Sequence, residues 1–277
     1  MKKMLSLALV LVLMMSLAAC GAKTETPAAT TAPAAAVETT AAAAGTEAPA
    51  AEVKTIEAGK LIMSTNASFP PYEMIADDGS IEGIDVEVAN AIAKKLGLEL
   101  EVDDMDFDAA LLAVQQNKSD IVMAGVTVTD DRKLVMNFTD SYATGVQVVI
   151  VKEGSDVTLD NLGEKMIGTQ RGTTGYIFTS DDYGDDHVTA YDNGASAVQA
   201  LQNGQVDCVV IDAAPAEAYV EANPGLTILD TEYVVENYAI GVNKDNTALL
   251  DAINQALAEL TADGTVQSIV DKYISAE

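Results

Sequence analysis

The sequence predicts an α/β protein, and three observations support this prediction. Beyond residue 56, short apolar runs of strand length alternate with longer stretches in which apolar residues recur at helical spacing. This alternation occurs in two successive series, and helical stretches close the chain. The length of 277 residues suggests about two domains. We therefore expect two α/β units in residues 57–277, which we call the head, behind an N-terminal segment of different character.

The first residues resemble a bacterial secretion signal. Lys2 and Lys3 precede an apolar run over residues 4–17, which is shorter than the roughly 20 residues that a membrane-spanning helix needs. The run ends in Leu-Ala-Ala before Cys20, which resembles the lipobox of bacterial lipoproteins. We predict that residues 1–19 are a lipoprotein signal peptide. Lipidation of Cys20 would anchor the protein to the cell membrane on its extracytoplasmic face. The alternative is an ordinary secretion signal with an incidental cysteine.

The next segment has the composition of a disordered tether. Of the 32 residues from 21 to 52, 14 are Ala, 7 are Thr and 3 are Pro, and Val37 is the one large aliphatic residue. Such a segment cannot bury enough apolar surface to offset the entropy lost on ordering. We predict that residues 20–56 comprise the lipidated cysteine and a tether to the head.

The head carries signals for individual strands and helices. In the stretch from Asp85 to Leu96, apolar residues recur at helical spacing, and Gly97 follows where a glycine often ends a helix. By the same reasoning we predict strands at 61–63, 98–102, 120–124, 146–151, 165–169, 206–211 and 238–242, and helices at 85–96, 108–116, 173–178, 195–202, 247–260 and 266–273.

The charge is strongly negative and is confined to the head. The chain has 43 Asp and Glu against 15 Lys and Arg, a net charge of -28, whereas residues 1–56 contain four lysines and four glutamates. Binding to nucleic acid needs basic side chains to neutralise phosphates, so we expect no nucleic-acid partner. Two cysteines and one histidine argue against a disulfide framework and against a His-rich metal site.

The sequence contains no recognisable catalytic constellation. The Gly-rich segment 168–175 lacks the lysine of a phosphate-binding loop. The acidic run 104–108 resembles the first half of an EF-hand calcium loop. However, Ala109 stands where such a loop has a turn glycine, and Gln115 stands where it has a bidentate glutamate. We predict that the protein is not an enzyme and has no catalytic residue, metal site or cofactor.

Five short patterns occur in order along the head. They are Ser68–Glu73, Gly83–Ala89, Asp106–Asp108, Asp120–Arg132 and Gly172–Gly175, with residues 207–212 following. Together they resemble the polar amino-acid substrate-binding proteins of ABC importers, solute-binding protein family 3, which includes glutamine-, histidine- and arginine-binding proteins. The resemblance covers about residues 57–275.

This resemblance implies a two-lobe periplasmic-binding-protein fold of type II, with a ligand cleft between lobes joined by two hinge strands. Lobe 1 would comprise residues 57–143 and 239–277, and lobe 2 residues 147–235. The protein would capture a free amino acid, as a monomer, and deliver it to the permease and ATPase subunits of an ABC importer.

The resemblance also implies partners for the ligand's carboxylate. Arg132 is the principal candidate, because its planar fork matches a carboxylate bidentately. Thr127 would add a hydroxyl and an N–H group, and Thr174 would add donors at a helix N-terminus. The alternatives are a surface arginine on a short helix and a helix cap formed by Thr174 or its neighbour Thr173.

The ligand's ammonium and aliphatic groups would contact other residues. Asp212 ends an apolar strand and resembles the family's ammonium partner, although it could instead cap the following helix. The backbone carbonyl of Gly125 would share the ammonium. Phe69 and Phe107 occupy positions of the family's sandwiching aromatics, and core packing is the alternative for both.

Selectivity depends on two further candidates. Asn66 stands where several relatives have an aspartate, which weakens the case for a cationic ligand. Gln170 occupies a variable position of lobe 2, and Arg171 could face either the cleft or solvent. We predict a neutral polar amino acid, specifically glutamine, while cystine, histidine and acidic amino acids remain open.

Two other functions are compatible with the same resemblance. An enzyme on this scaffold, similar to cyclohexadienyl dehydratase, would need a general acid in the cleft. A sensor module would act through a separate signalling partner.

Overall fold

The computed structural model describes residues 53–230 and 232–274. The predicted signal peptide 1–19, the predicted lipidation site Cys20 and the tether up to residue 52 lie outside the described residues. Residues 53–56, the end of the predicted tether, contact the head. Val53 packs against a hydrophobic core, and the Ile56 N–H group donates to a carboxylate oxygen of Asp120 at 2.8 Å.

The described strands and helices alternate as expected for an α/β protein. The strands are β1 (Lys60–Thr65), β2 (Ser68–Phe69), β3 (Glu73–Ile75), β4 (Ile81–Glu82), β5 (Glu99–Asp104), β6 (Ile121–Val122), β7 (Met136–Lys152), β8 (Ile167–Gln170), β9 (Val188–Tyr191), β10 (Cys208–Asp212), β11 (Leu226–Ile228) and β12 (Val234–Asn243). The helices are α1 (Ile84–Lys95), α2 (Phe107–Gln115), α3 (Asp130–Val135), α4 (Thr174–Tyr183), α5 (Gly194–Gln202), α6 (Ala213–Ala222), α7 (Thr247–Ala262) and α8 (Thr265–Tyr273).

One sheet runs through both lobes. Its strand order is β5-β1-β6-β12-β7-β10-β8-β9, with β11 paired to β7. The long strands β7 and β12 are antiparallel partners, in a register that runs from Val234 opposite Gln147 to Asn243 opposite Met136. Strand β7 pairs with β12 from Met136 to Gln147 and with β10 from Gln147 to Val151, so β7 links the two halves of the sheet, and the lobe bounds stay a prediction. Strands β2, β3 and β4 form a separate small sheet.

Each lobe has its own hydrophobic core. In lobe 1, β1, α1, β12 and α7 contribute fully buried residues such as Leu61, Ile92 and Ile253. In lobe 2, β7, α5 and β10 contribute Ile150, Leu201 and Val209. Phe69 packs against both of these cores, which places it at the junction of the lobes.

The predicted elements are present, with shifted bounds. The largest difference is in β7, where only 146–151 was expected and the strand extends from Met136. The first half of β7 mixes buried, half-buried and exposed residues and contains Asp140 and Ser141, so it shows no apolar run. Conversely, β6 is limited to Ile121–Val122. Within residues 53–230 and 232–274, every helix is too short or too polar to cross a bilayer.

Candidate functional site

A small pocket lies where the two lobes meet. All nine residues predicted to bind the ligand line it: Asn66, Phe69, Phe107, Gly125, Thr127, Arg132, Gln170, Thr174 and Asp212. They come from both lobes. The structure therefore brings the predicted set together, while the binding role of each residue stays a prediction.

Arg132 is a buried residue of α3. Thr129 caps this helix by accepting from the Arg132 backbone N–H at 3.2 Å, which fixes where the side chain leaves the backbone. The side chain donates to the carbonyl oxygens of Thr127 at 2.8 Å and of Gly172, in the other lobe, at 3.0 Å. Its guanidinium carbon lies 5.5 Å from the ring centroid of Phe107. These contacts leave three of its five N–H groups for other acceptors.

The burial of Arg132 decides between the alternatives for this residue. It is 7% exposed, so it is not a surface arginine. Burial lowers the pKa of Arg132 to about 10, which keeps the guanidinium protonated at neutral pH. By contrast, Arg171 faces solvent, and its side chain is 52% exposed beside Asp192.

Two threonines meet across the cleft next to Arg132. The hydroxyl oxygens of Thr127 and Thr174 lie 3.3 Å apart, and the Thr127 hydroxyl also donates to Glu236 at 3.1 Å. The cap of α4 is Thr173, whose side chain accepts from the Tyr176 N–H at 3.3 Å. Thr174 is therefore the first residue of the helix, and its hydroxyl is not used as the cap.

Asp212 uses its two oxygens differently. Oδ1 accepts from the Ala214 N–H at 3.2 Å and so caps α6. Oδ2 accepts from the Val146 N–H and from the Tyr238 hydroxyl, both at 2.9 Å. Burial raises the pKa of Asp212 to about 6. No described cationic side chain forms an ion pair with it.

The position of Gly125 requires a glycine. Its φ angle is +55°, in the left-handed region. A Cβ atom there would lie 2.8 Å from Cε1 of Phe69. The Gly125 N–H donates to Oδ2 of Asp85 at 2.9 Å, which holds this segment against α1.

The side-chain amides at the two predicted selectivity positions form a hydrogen bond with each other across the cleft. The Asn66 side chain donates to the Met105 carbonyl at 2.8 Å, and Gln170 donates to the Asn66 side-chain oxygen at 2.9 Å. This second bond joins the two lobes. The side-chain oxygen of Gln170 is buried and accepts no hydrogen bond, so it is available to a donor group in the cavity.

Sequence reasoning missed several residues of the cavity wall, notably Glu73, Gln147 and Tyr238. Glu73 is fully buried, and neither of its carboxylate oxygens accepts a hydrogen bond. Gln147 donates to buried Glu236 at 2.9 Å. Glu73 lies inside a pattern that the sequence singled out, but its burial depends on tertiary packing that no local signal reveals. Among the described residues, no three His, Cys, Asp or Glu side chains are grouped to hold a metal ion.

Comparison with known proteins identifies relatives over most of the chain. A family model described as bacterial extracellular solute-binding proteins, family 3, matches residues 61–276. The probable histidine-binding protein of Neisseria gonorrhoeae is 34% identical over 222 residues, which cover 78% of this chain and 83% of the relative. ABC transporter arginine-binding protein 1 of Escherichia coli K12 is 32% identical over 221 residues, covering 78% and 91%.

Solved structures agree with this result. An ancestral arginine-binding protein bound to glutamine is 40% identical, with a TM-score of 0.75 and coverage of 79% of this chain and 99% of that one. An ancestral arginine-binding protein bound to arginine is also 40% identical, with a TM-score of 0.74 and coverage of 78% and 99%. This likeness confirms the predicted two-lobe type II fold. The chain therefore belongs to family 3 of the bacterial extracellular solute-binding proteins.

Proposed function

We propose that this protein captures a polar amino acid outside the cytoplasm and delivers it to an ABC importer. The observation that carries the proposal is the pair of opposite charges in one cavity, Arg132 and Asp212, each buried and neither in an ion pair with a described side chain. Burying a charge without a partner is costly. A zwitterion would satisfy both, its carboxylate at Arg132 and its ammonium at Asp212. This arrangement favours an amino acid over other small solutes.

The names of the relatives support an amino-acid ligand. The histidine- and arginine-binding relatives are similar in sequence over most of the chain, and the ancestral arginine-binding protein bound to glutamine is similar in structure. Glutamine is the ligand we propose first. Its side-chain amide complements the neutral amides of Asn66 and Gln170, including the free oxygen of Gln170. We further propose that the protein acts as a monomer anchored through Cys20.

Binding would proceed by closure of the two lobes over the amino acid. Contacts between the lobes include the Thr127–Thr174 pair, the Gln170–Asn66 bond and a bond from the Tyr219 hydroxyl to the Ser68 carbonyl at 2.7 Å. A ligand favours the closed form only by its higher affinity for that form. Donors and acceptors from both lobes around one ligand provide this difference, and the closed form would be the one presented to the permease.

Replacement of Arg132 tests the proposal directly. Arg132→Ala removes the fork that would hold the ligand carboxylate, and the loss of one partner of a buried charge pair costs about 2–5 kcal/mol. We expect glutamine affinity to fall at least about 30-fold, measured by isothermal titration calorimetry. The control is Arg171→Ala, which removes the solvent-facing arginine and should leave affinity unchanged. Equal affinities of the two variants, with the fold verified by circular dichroism, would contradict the site.

One observation favours a second function. Glu73 is a fully buried carboxyl on the cavity wall, and burial, followed by the charge of Asp85, raises its pKa well above the usual range. A protonated carboxyl in a cleft can act as a general acid, as the enzyme alternative requires. Incubation with prephenate and with arogenate distinguishes the functions, because an enzyme would release carbon dioxide and a binding protein would return the compound unchanged.

A further inference from the structure

Strand β12 contributes a buried acid that links residues on both sides of the cleft. Glu236 is buried, and its Oε2 atom accepts from the Gln147 side-chain amide at 2.9 Å and from the Thr127 hydroxyl at 3.1 Å. Gln147 and Thr127 line the cavity, whereas Glu236 lies behind them and is not part of its wall. Glu236 therefore acts on the cavity through the two side chains that donate to it.

The bond to Glu236 fixes the orientation of the Gln147 amide. An ionised carboxylate has no proton to donate, so the amide nitrogen must face Glu236 and the amide oxygen must point away from it. Among the described residues, none donates a hydrogen bond to that oxygen. The oxygen lies beside the start of α4, where a Cβ atom on Gly175 would come within 2.9 Å of it. The absence of a side chain at residue 175 thus leaves room for this acceptor.

Gln147 lies directly opposite Asp212 in the sheet. The two residues are partners in the antiparallel register of β7 with β10, so their side chains leave the same face of the sheet, with Cβ atoms about 5 Å apart. Both residues line the cavity. The ammonium group of an amino acid bound at Asp212 would therefore come close to the Gln147 amide.

An ammonium group brings three N–H donors, and Asp212 has little free capacity for them. Its Oδ1 atom accepts from the Ala214 N–H, and its Oδ2 atom accepts from the Val146 N–H and the Tyr238 hydroxyl. A carboxylate offers about four acceptor positions, so about one remains for the ligand. The Gly125 carbonyl is the second predicted acceptor. One donor of the ammonium group still needs a partner, because a buried charged donor without one is costly.

We propose that Gln147 supplies the third acceptor for the ligand's ammonium group, and that Glu236 is the positioning residue that turns the Gln147 oxygen towards it. This inference rests on the proposed function and adds two residues to its ammonium site. The Thr127 hydroxyl, on the other side of the cleft, donates to the same Glu236 oxygen. The closed form and the orientation of the amide therefore support each other.

A pair of ligands tests the contact by calorimetry. L-Glutamine and Nα-methyl-L-glutamine carry the same charge, but the second has a methyl group in place of one N–H donor. We expect methylation to lower the affinity of the unsubstituted protein at least about tenfold. Gln147→Leu keeps most of the volume but has no acceptor, so glutamine affinity should fall at least about tenfold and the methylation penalty should shrink to less than about threefold. A general loss of stability would affect both ligands alike. The control is Gln199→Leu, on the exposed side of α5, which should leave both values unchanged.

Exchanging the two side chains tests the positioning role of Glu236. Glu236→Gln alone places a second amide against Gln147 and lets either amide turn, so glutamine affinity should fall at least about fivefold. The double variant Glu236→Gln/Gln147→Glu restores one carboxylate and one amide, with donor and acceptor reversed, and an oxygen at position 147 again faces the ligand. It also keeps the net charge of the pair, which matters because the charge of Glu236 acts on Arg132. We expect the double variant to recover affinity to within about threefold of the unsubstituted protein. The control is Glu221→Gln, an exposed residue of α6, which should leave affinity unchanged.

The outcomes separate this inference from the function on which it rests. A methylation penalty in Gln147→Leu as large as in the unsubstituted protein would overturn the ammonium contact and leave the proposed function standing. Failure of the double variant to recover, in affinity or in folding, would overturn the positioning role of Glu236. Absence of glutamine binding by the unsubstituted protein would overturn both proposals.

Discussion

Single residues of the cleft serve the fold and the site together, as Gln170 illustrates. Its amide nitrogen donates across the cleft to Asn66, while its oxygen remains free and buried. The same side chain thus stabilises the closed form through its nitrogen and presents its oxygen as a hydrogen-bond acceptor for a ligand. Asp212 divides its oxygens in a similar way, with one on the start of α6 and the other on Tyr238 and β7.

Replacing Gln170 should weaken binding without unfolding the protein. Gln170→Leu keeps the volume but leaves the Asn66 side-chain oxygen without its donor, which costs about 1–3 kcal/mol in the closed form. We expect glutamine affinity to fall roughly 5- to 160-fold by calorimetry. A matched control is Gln202→Leu, which removes an exposed amide bond to Asn223 of the same length, 2.9 Å, within lobe 2. Similar affinities for the two variants would show that the contact across the cleft is irrelevant to closure.

At the scale of single residues, the sequence predicted many of the residues that line the cavity but not the buried acid Glu73. Arg132 and Asp212 were recognisable because each lies in a patterned segment, and arginine is rare in the head. Glu73 also lies in a patterned segment, but one carboxylate among many has no local mark of burial. Its environment arises from packing against α1, which follows shortly after β3, and against β7, which is distant in sequence.

Among the elements, the paired strands β7 and β12 impose the strictest steric requirement on the sequence. Where β7 passes β12, a Cβ atom on Gly145 would lie 2.3 Å from Cζ of Tyr238 and 2.7 Å from Oδ2 of Asp212. The absence of a side chain at residue 145 therefore allows the Tyr238–Asp212 bond to form beside the backbone of β7. The sequence indicated the apolar second half of β7 but not this crowding, which depends on the register with β12.

Adding one methyl group at this point should disturb both stability and binding. Gly145→Ala forces Tyr238 or the strand to move, because the contact involves a fully buried ring. Overpacking of this kind costs about 1–3 kcal/mol. We expect a lower melting temperature and weaker glutamine binding, since Asp212 moves with its partner. An unchanged melting temperature and unchanged affinity would mean that the hinge strands can separate at no cost.

Over the whole molecule, the buried acids oppose the usual stabilising effect of neutral pH. Asp85 and Asp212 have pKa values of about 6 in the folded protein, raised by burial, against roughly 4 for an unfolded chain. The folded state therefore binds more protons than the unfolded state between these values, and stability falls as pH rises through this window. Exposed carboxylates whose pKa is lowered by a partner, such as Asp156 and Asp263, titrate below this pH window.

The ligand-free protein should accordingly become less stable from about pH 4 to about pH 6. Thermal unfolding across this range is the measurement, in low and in high salt, because salt screens repulsion among surface charges but not the burial of Asp85 and Asp212. We expect the decline to persist in high salt and to be smaller in Asp212→Asn. A melting temperature that rises over this range would contradict the raised pKa values.

The core of lobe 1 combines segments from before and after lobe 2, and this restricts the order in which the protein can fold. Leu61 and Ile92 pack in the same cluster as Ile240 and Ile253, although all of lobe 2 lies between them in the chain. A chain that emerges from its N-terminus can thus complete the strands and helices of lobe 2 while lobe 1 still exposes apolar surface. Lobe 1 can complete its core only after residues 239–260 have appeared, which is after the whole of lobe 2.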